Sequence, residues 1–179
     1  MSESEKPHAV DRLVHAYELM LERVHTALER AEEATPRLKQ VLEQAREKAV
    51  ELNELSREEA EKVASYLERD MRDAAQYIAD SGQQLKDWWH FDLDLVEDRL
   101  LDLFAGVADQ TSLQLRRFAE QARERSSLYH TGEVTGPGTL ICAGCGKPVH
   151  FRGAGRIPPC PRCHGTEFGR EREDHSETP

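Results

Sequence analysis

The chain has 179 residues, of which 32% are charged and only 6% are aromatic, and its net charge is −10 at pH 7. This length is sufficient for one ordinary domain and a small additional module. All of the excess negative charge lies in the first 130 residues, where 28 acidic side chains outnumber 18 basic ones. Because proteins bind nucleic acids and anionic lipids mainly through cations that neutralise phosphate, this charge disfavours both classes of partner.

Neither end of the chain has the pattern of a folded or membrane-inserted segment. Residues 1–9 are polar and acidic, unlike an export signal, and we expect them to be disordered. Residues 171–179 are also charged and polar, which predicts a disordered tail. No apolar run approaches the ~20 residues that a membrane-spanning helix needs, so we predict no membrane span.

Residues 10–130 have the pattern of a helical domain. From Val10 onward, apolar side chains recur every seven residues in three adjacent rows, a stripe wider than the seam of a two-stranded coiled coil. Thr35 and Pro36 indicate a break before a second helix, since threonine caps helices well and proline fits the first helical position. That second helix is expected to continue to about Leu52.

Ser56 and Glu59 have the spacing of a capping box, in which each side chain accepts a hydrogen bond from the other residue's backbone amide. The helices expected after this cap span residues 57–89, 95–107 and 109–127. We predict a mainly α fold, in which the helices form either an antiparallel bundle or extended hairpins ahead of a small β zinc ribbon. The long apolar stripes also favour a homo-oligomer formed through the helices.

The composition changes after Tyr129. Residues 131–138 contain three glycines and a proline, which excludes a helix and predicts a linker. Residues 139–170 are expected to form the ribbon, with short strands over residues 139–141, 148–151 and 166–168. The side chains expected to form its small core are Val149, Phe151, Ile157 and Phe168.

All four cysteines lie in this ribbon, as the pairs Cys142/Cys145 and Cys160/Cys163, with 14 residues between the pairs. Zinc takes four thiolate ligands in closed structural sites, and each C-x2-C turn places two sulfurs on the same side. Gly146 follows the first pair, at a position that often needs a positive φ. The spacing therefore predicts one structural Zn²⁺ per chain, with iron in the same cage as the alternative metal.

Two other uses of the cysteines are less consistent with the sequence. Structural disulfides suit secreted domains, but no export signal precedes the fold. A redox C-x-x-C usually opens a helix in a βαβ unit, and no such alternation is present. Reduced thiols, zinc and the absence of a targeting segment together indicate the cytoplasm. Because four sulfurs leave no coordination position open, the sequence predicts a protein that is not an enzyme.

The ribbon also carries the residues expected to contact a partner. Arg152 and Arg156 flank a glycine-containing loop, Arg162 lies within the second cysteine pair, and His150 alternates with the core positions of its strand. A solvated loop is the simpler interpretation, and contact with an acidic surface or a phosphate is the functional one.

The chain resembles the YbeL-like family of bacterial zinc-ribbon proteins. The resemblance extends from about His8 to Phe168 and is most specific over residues 129–140, which lead directly into the first cysteine pair. The other stretches that carry it are residues 17–24, 56–60 and 100–104. It implies a helical N-terminal region, a C-terminal ribbon and zinc on the four cysteines, and it implies no substrate, partner or catalytic residue. His164 stands where the family's pattern has glycine.

The function predicted from the sequence is a non-enzymatic, cytoplasmic interaction or adapter module with a protein partner. The acidic helical region favours this interpretation over a nucleic-acid-associated regulator that contacts phosphate through the ribbon. A thiol switch that loses zinc on oxidation is a further alternative. The helical region and the ribbon share no evident apolar stripe, so the sequence predicts that they melt separately.

Overall fold

The fold is taken from a computed structural model, which describes residues 9–30, 38–81, 100, 102–104, 106–107 and 128–170. The predicted helix over residues 109–127, the continuation of the third helix beyond residue 81 and the predicted disorder of residues 1–8 and 171–179 lie outside the described residues. Ala9 was also expected to be disordered, but it begins the first helix. Within the described part, no helix is long and apolar enough to cross a membrane.

Three long helices lie in the described part of the N-terminal region: α1 (Ala9–Glu29), α2 (Leu38–Glu51) and α3 (Arg57–Ser81). Each of them packs against both of the others, so they form a bundle and not a set of extended hairpins. Leu100, residues 102–104 and residues 106–107 are also helical, and they contribute the buried side chains of Leu100, Phe104 and Val107 to the same core. The predicted mainly α fold with a small β ribbon is confirmed.

Local hydrogen bonds explain where α2 ends and where α3 begins. Asn53 has a φ of 55°, and the amide of Glu54 donates to the carbonyl of Ala49 at 3.0 Å, as expected where a left-handed residue closes a helix. The amide of Glu59 donates to Ser56 Oγ at 3.2 Å, and the amide of Ser56 donates to Glu59 Oε2 at 2.9 Å. The predicted capping box is therefore present.

The C-terminal region contains six short strands: β1 (Tyr129–His130), β2 (Val134–Thr135), β3 (Gly138–Cys142), β4 (Pro148–Phe151), β5 (Gly155–Arg156) and β6 (Glu167–Arg170). They form one four-stranded antiparallel sheet in the order β1-β6-β3-β4 and a separate antiparallel pair, β2-β5. The predicted strands correspond to β3, β4 and β6, whereas β1, β2 and β5 were not predicted.

The observed strands change the predicted domain boundaries. Tyr129 and His130 were placed at the end of the helical domain, but they pair with Phe168 and Glu167 as part of the ribbon sheet. The predicted linker, residues 131–138, contains β2, which is held by pairing with β5. Its glycines and proline indicated the absence of a helix correctly, but they did not indicate a free connection.

The helical region and the ribbon have separate hydrophobic cores. In the ribbon, Phe151, Ile157 and Phe168 are buried as predicted, Val149 is only half-buried, and Tyr129 and Leu140 are buried additions. Val134 of β2 is fully buried in the core of the helices and not in that of the ribbon. The segment between the two regions is therefore part of the helical packing.

Candidate metal centre

The first cysteine pair lies in a tight turn at the end of β3. The Cys142 amide donates to the carbonyl of Lys147 at 3.0 Å, and the Gly146 amide donates to the carbonyl of Cys142 at 2.9 Å. Gly146 has a φ of 70°, a conformation that glycine adopts without steric cost. This turn brings the side chains of Cys142 and Cys145 to the same side of the chain.

The second pair forms a similar turn. The His164 amide donates to the carbonyl of Cys160 at 2.9 Å, and the Cys160 amide donates to the carbonyl of Gly165 at 2.9 Å. His164 has a φ of 58°, so it occupies the left-handed conformation that glycine adopts most readily. A non-glycine residue pays about 1–2 kcal/mol for this conformation, and the closed turn maintains it nonetheless.

The two turns face each other and bring the four cysteine sulfurs within 4.8 Å of one another. The sulfurs of Cys142 and Cys163 are 3.5 Å apart, and those of Cys145 and Cys160 are 3.6 Å apart. A zinc ion bonded to four sulfurs at about 2.3 Å needs neighbouring sulfurs about 3.8 Å apart. The four thiols therefore fit a tetrahedral zinc site.

Gly165 leaves the space that the sulfurs need. A Cβ atom at this position would lie 3.2 Å from the sulfur of Cys163 and 3.3 Å from that of Cys142. These separations are tighter than ordinary packing, so a side chain here would push two of the four sulfurs away from the centre. A glycine two residues after the second pair is thus explained by the geometry of the cage.

The surroundings of the cage shift the pKa values of Cys160 and Cys163 in opposite directions. The amides of Cys163 and Arg162 donate to the Cys160 sulfur and lower the pKa of Cys160 to about 6. The Gly165 amide lowers the pKa of Cys163, but the neighbouring sulfurs of Cys145 and Cys142 outweigh it and raise that pKa to about 12. Four sulfurs this close can all ionise only when a cation compensates their charge.

The accessibility of the cage is uneven. Cys142 and Cys160 are buried in the ribbon core, Cys145 is half-buried, and Cys163 is exposed. With all four coordination positions supplied by protein, such a site has the closed donor set of structural zinc and lacks the open position that catalytic zinc uses. A metal ion bound in this site would therefore hold the two turns together.

The predicted partner-contact residues divide into two groups. Arg152, Arg162 and His150 are exposed, and His150 Nδ1 lies 2.9 Å from the hydroxyl of Thr139 on the neighbouring strand. Arg156 is instead half-buried in β5, where its guanidinium donates to the carbonyl of Gly132 at 2.8 Å. Because β5 pairs with β2, Arg156 holds the segment between the two regions and is not part of an exposed loop.

A buried cluster of charged and polar side chains joins α3 to the ribbon and was not predicted. We call it the junction, and its members are Tyr17, Arg69, Asp70, Asp73, Tyr129, Thr135 and Arg170. At its centre, Asp70 is 1% exposed. Its Oδ2 accepts hydrogen bonds from the hydroxyl of Tyr17 at 2.6 Å, the amide of Gly136 at 2.7 Å and the hydroxyl of Thr135 at 3.3 Å. Its Oδ1 forms ion pairs with Arg170 at 3.4 Å and with Arg69 at 3.6 Å.

Arg170 is the contribution of β6 to the junction. Its side chain is only 4% exposed, and it donates to the hydroxyl of Thr135 at 3.1 Å and to the carbonyl of Pro137 at 3.3 Å. It also donates to the hydroxyl of Tyr129 at 3.3 Å, and that hydroxyl donates to Asp73 at 2.5 Å. A buried arginine is stable here because carboxylates and carbonyls surround it.

Arg69 adds three further contacts to the junction. The Arg69 guanidinium lies 3.8 Å from the centre of the Tyr129 ring and forms an ion pair with Glu133, while donating to the carbonyl of Val134 at 3.2 Å. Burial, followed by the charge of Asp70, raises the pKa of Tyr17 well above its usual value, and burial raises the pKa of Tyr129 in the same way. Both phenols are therefore neutral hydrogen-bond donors.

The sequence contained one signal of the junction. The buried apolar positions of α3 recur every three or four residues, and Asp70 lies on the same face, three residues after Leu67 and four before Ala74. An acidic residue at an inward position must find buried partners. Periodicity cannot identify those partners, because Arg170 lies 100 residues further along the chain.

A helical bundle followed by a small antiparallel ribbon with four clustered thiols defines a zinc-ribbon protein. A family model described as a zinc-ribbon containing domain matches residues 25–172, and the chain belongs to this family. Among its relatives is the uncharacterized protein YbeL of Escherichia coli strain K12, which is 26% identical over 130 residues, or 73% of this chain and 79% of the relative. The YbeL proteins of Escherichia coli O6:H1 and O157:H7 match to the same extent. No solved structure matches the chain.

Proposed function

We propose that this chain is a non-enzymatic, cytoplasmic interaction module. In this proposal it holds one structural zinc ion on Cys142, Cys145, Cys160 and Cys163. It binds an acidic surface of a partner protein through exposed basic side chains of the ribbon. The closed donor set supports a structural metal, since a site with four protein sulfurs has no position for a substrate.

The observation that carries the proposal is that some basic side chains of the ribbon bind within the protein, whereas others are exposed to solvent. Arg156 and Arg170 donate hydrogen bonds within the protein, to Gly132 and within the junction respectively. Lys147, Arg152 and Arg162 are exposed. Lys147 and Arg162 lie in or beside the turns that enclose the sulfurs, whereas Arg152 follows β4 at the end of that strand farther from the first turn. The ribbon thus presents a basic surface on a rigid frame, while the excess acidic charge lies elsewhere in the chain. Such a surface suits an acidic partner.

The proposal is tested by reversing the exposed charges alone. The variant is Arg152→Glu combined with Arg162→Glu, and the matched control is Lys39→Glu combined with Arg57→Glu, two exposed residues of the helices. Both double variants change the net charge equally. We expect one zinc per chain in each, and a change in the free energy of unfolding of less than about 0.5 kcal/mol.

The measurement is affinity capture with the full zinc-loaded chain, followed by identification of bound protein and nucleic acid. The ribbon variant should recover the partner about tenfold less than the wild type, whereas the helical control should recover it normally. A bound nucleic acid whose affinity falls steeply with salt would replace the protein partner with the regulator function. Equal recovery by all three chains would show that the basic surface is not the contact.

A further inference from the structure

The segment that enters the ribbon is inserted into the helical bundle. Val134 is fully buried among the helices, and the amide of Gly136 donates to Asp70 of α3 at 2.7 Å. A Cβ atom at Gly136 would lie 2.8 Å from the Phe104 ring and 3.0 Å from the hydroxyl of Tyr17. Residues 134–136, which we call the docked segment, therefore fit their place in the bundle without spare room.

Ribbon side chains hold the docked segment in that position. Arg170 of β6 donates to the hydroxyl of Thr135 and to the carbonyl of Pro137, immediately after the segment. Arg156 of β5 donates to the carbonyl of Gly132, two residues before it. The segment is therefore clamped between the helices on one side and the two ribbon strands on the other.

The cysteine cage shares its core with this clamp. Phe168 of β6 is in register with Cys142 on one side and with Tyr129 on the other. All three side chains belong to the same buried cluster, together with Cys160. A ribbon this small buries too little apolar surface to fold by itself, so a bound metal supplies most of its folding free energy. The positions of Tyr129 and Arg170 thus depend on the cage.

We propose that the ribbon is a metal-dependent latch: occupancy of the cysteine cage keeps the docked segment in the bundle, and loss of the metal releases it. This inference rests on the zinc assignment of the proposed function but not on the basic contact surface. Without the metal the ribbon core loosens, and Tyr129 and Arg170 leave Asp73 and Asp70. A buried carboxylate without its partners is strongly disfavoured, so the docked segment leaves as well. Release uncovers the site on the helices lined by Tyr17, Asp70 and Phe104.

The test is hydrogen exchange of the full chain, measured by peptide and by individual amide, with zinc bound and after treatment with a strong chelator. Chelation of the wild type should speed exchange at the Gly136 amide and in α3 around Asp70 by more than about tenfold, in addition to its effect on the ribbon. If chelation speeds exchange only within residues 138–170, the latch is refuted.

Two glycine variants distinguish release of the docked segment from loss of the metal. Gly136→Ala obstructs docking and is far from the sulfurs, whereas Gly169→Ala, in β6, places its Cβ where no atom lies within 4 Å and serves as the control. With zinc bound, Gly136→Ala should already exchange rapidly around Asp70 and keep its zinc, so that chelation adds little there. Gly169→Ala should behave as the wild type. Slow, wild-type exchange around Asp70 in zinc-loaded Gly136→Ala would contradict the latch, as would a full chelation response in that variant.

Discussion

Strand β6 is next to both the cysteine cage, through the pairing of Phe168 with Cys142, and the junction, to which it contributes Arg170, but the two clusters are assembled in different ways. The cage is built from two short turns, and each turn supplies two sulfurs whose positions are fixed by amides a few residues away. The junction combines side chains from α1, α3, β1 and β6, such as the pair of Tyr17 and Asp70, which are 53 residues apart. The cage is a local structure suited to an ion, whereas the junction forms only when α1, α3 and the ribbon strands have come together.

The two clusters also differ in how they affect stability. Metal binding to a small ribbon contributes directly to folding, because the unfolded chain has no preformed site. The junction buries charges whose mutual attraction is largely offset by the loss of their hydration, so its intact form adds little stability. Removing one of its members is costly, however, because the remaining charges stay buried without compensation. The junction therefore fixes the relative position of ribbon and helices more than it stabilises either.

The largest effect that would test this comparison is expected from Asp70→Asn. The asparagine keeps the size of the side chain but removes the charge that faces Arg170 and Arg69, which are 4% and 11% exposed. We expect the free energy of unfolding to fall by about 3–5 kcal/mol, with zinc still bound in the folded protein. Chemical denaturation followed by the helical circular dichroism signal measures this change.

Asp102→Asn is the matched control, because Asp102 is exposed on a helical part of the described chain. Its effect should stay within about 0.5 kcal/mol. Similar small losses from both substitutions would show that the junction does not hold the two regions together.

A smaller decrease in the free energy of unfolding is expected at alkaline pH. Tyr17 and Tyr129 have raised pKa values because burial disfavours the phenolate, whereas in the unfolded chain they ionise near pH 10. Below that pH the unfolded and folded states bind equal numbers of protons at these groups. Above it only the unfolded state loses them, so stability should fall by about 1.4 kcal/mol per pH unit for each tyrosine.

Tyr17→Phe distinguishes this linkage from general alkaline unfolding. The variant should be less stable than the wild type at pH 7, since it lacks the hydrogen bond to Asp70. Above pH 10 the free energy of unfolding of the variant should decline less steeply than that of the wild type. The two slopes should differ by about 1.4 kcal/mol per pH unit, the contribution of one tyrosine. Parallel curves for the two proteins, measured by denaturation at a series of pH values, would contradict the assignment of Tyr17 as a neutral buried donor.

The features that the sequence predicted correctly depend on neighbours within a few residues. Helical periodicity located α1, α2 and the start of α3, and the spacing of Ser56 and Glu59 identified the cap. The closeness of the four sulfurs followed from the two C-x2-C turns. His164 shows that such local geometry can persist even where the preferred glycine is replaced.

The features that were missed depend on distant parts of the chain. The strands β1, β2 and β5 contain two residues each, too few to show alternation, and they exist because of pairing with β6 or with one another. Arg156 was assigned to an exposed loop because its partner, Gly132, lay in a segment that was interpreted as a linker. Separate melting was expected because the helical region and the ribbon share no evident apolar stripe. The buried junction, which periodicity did not indicate, instead leads us to expect cooperative unfolding.

The central claim is that the helices and the ribbon unfold as one unit, and residue-resolved thermal unfolding of the zinc-loaded chain tests it most directly. Amide NMR signals from the ribbon, residues 138–170, and from α2 and α3 would be followed in the same sample as the temperature rises. The junction predicts that both sets of signals disappear with the same midpoint, as in a two-state transition. Loss of the ribbon signals at a clearly lower temperature, while the helical signals persist, would show that the two regions are independent.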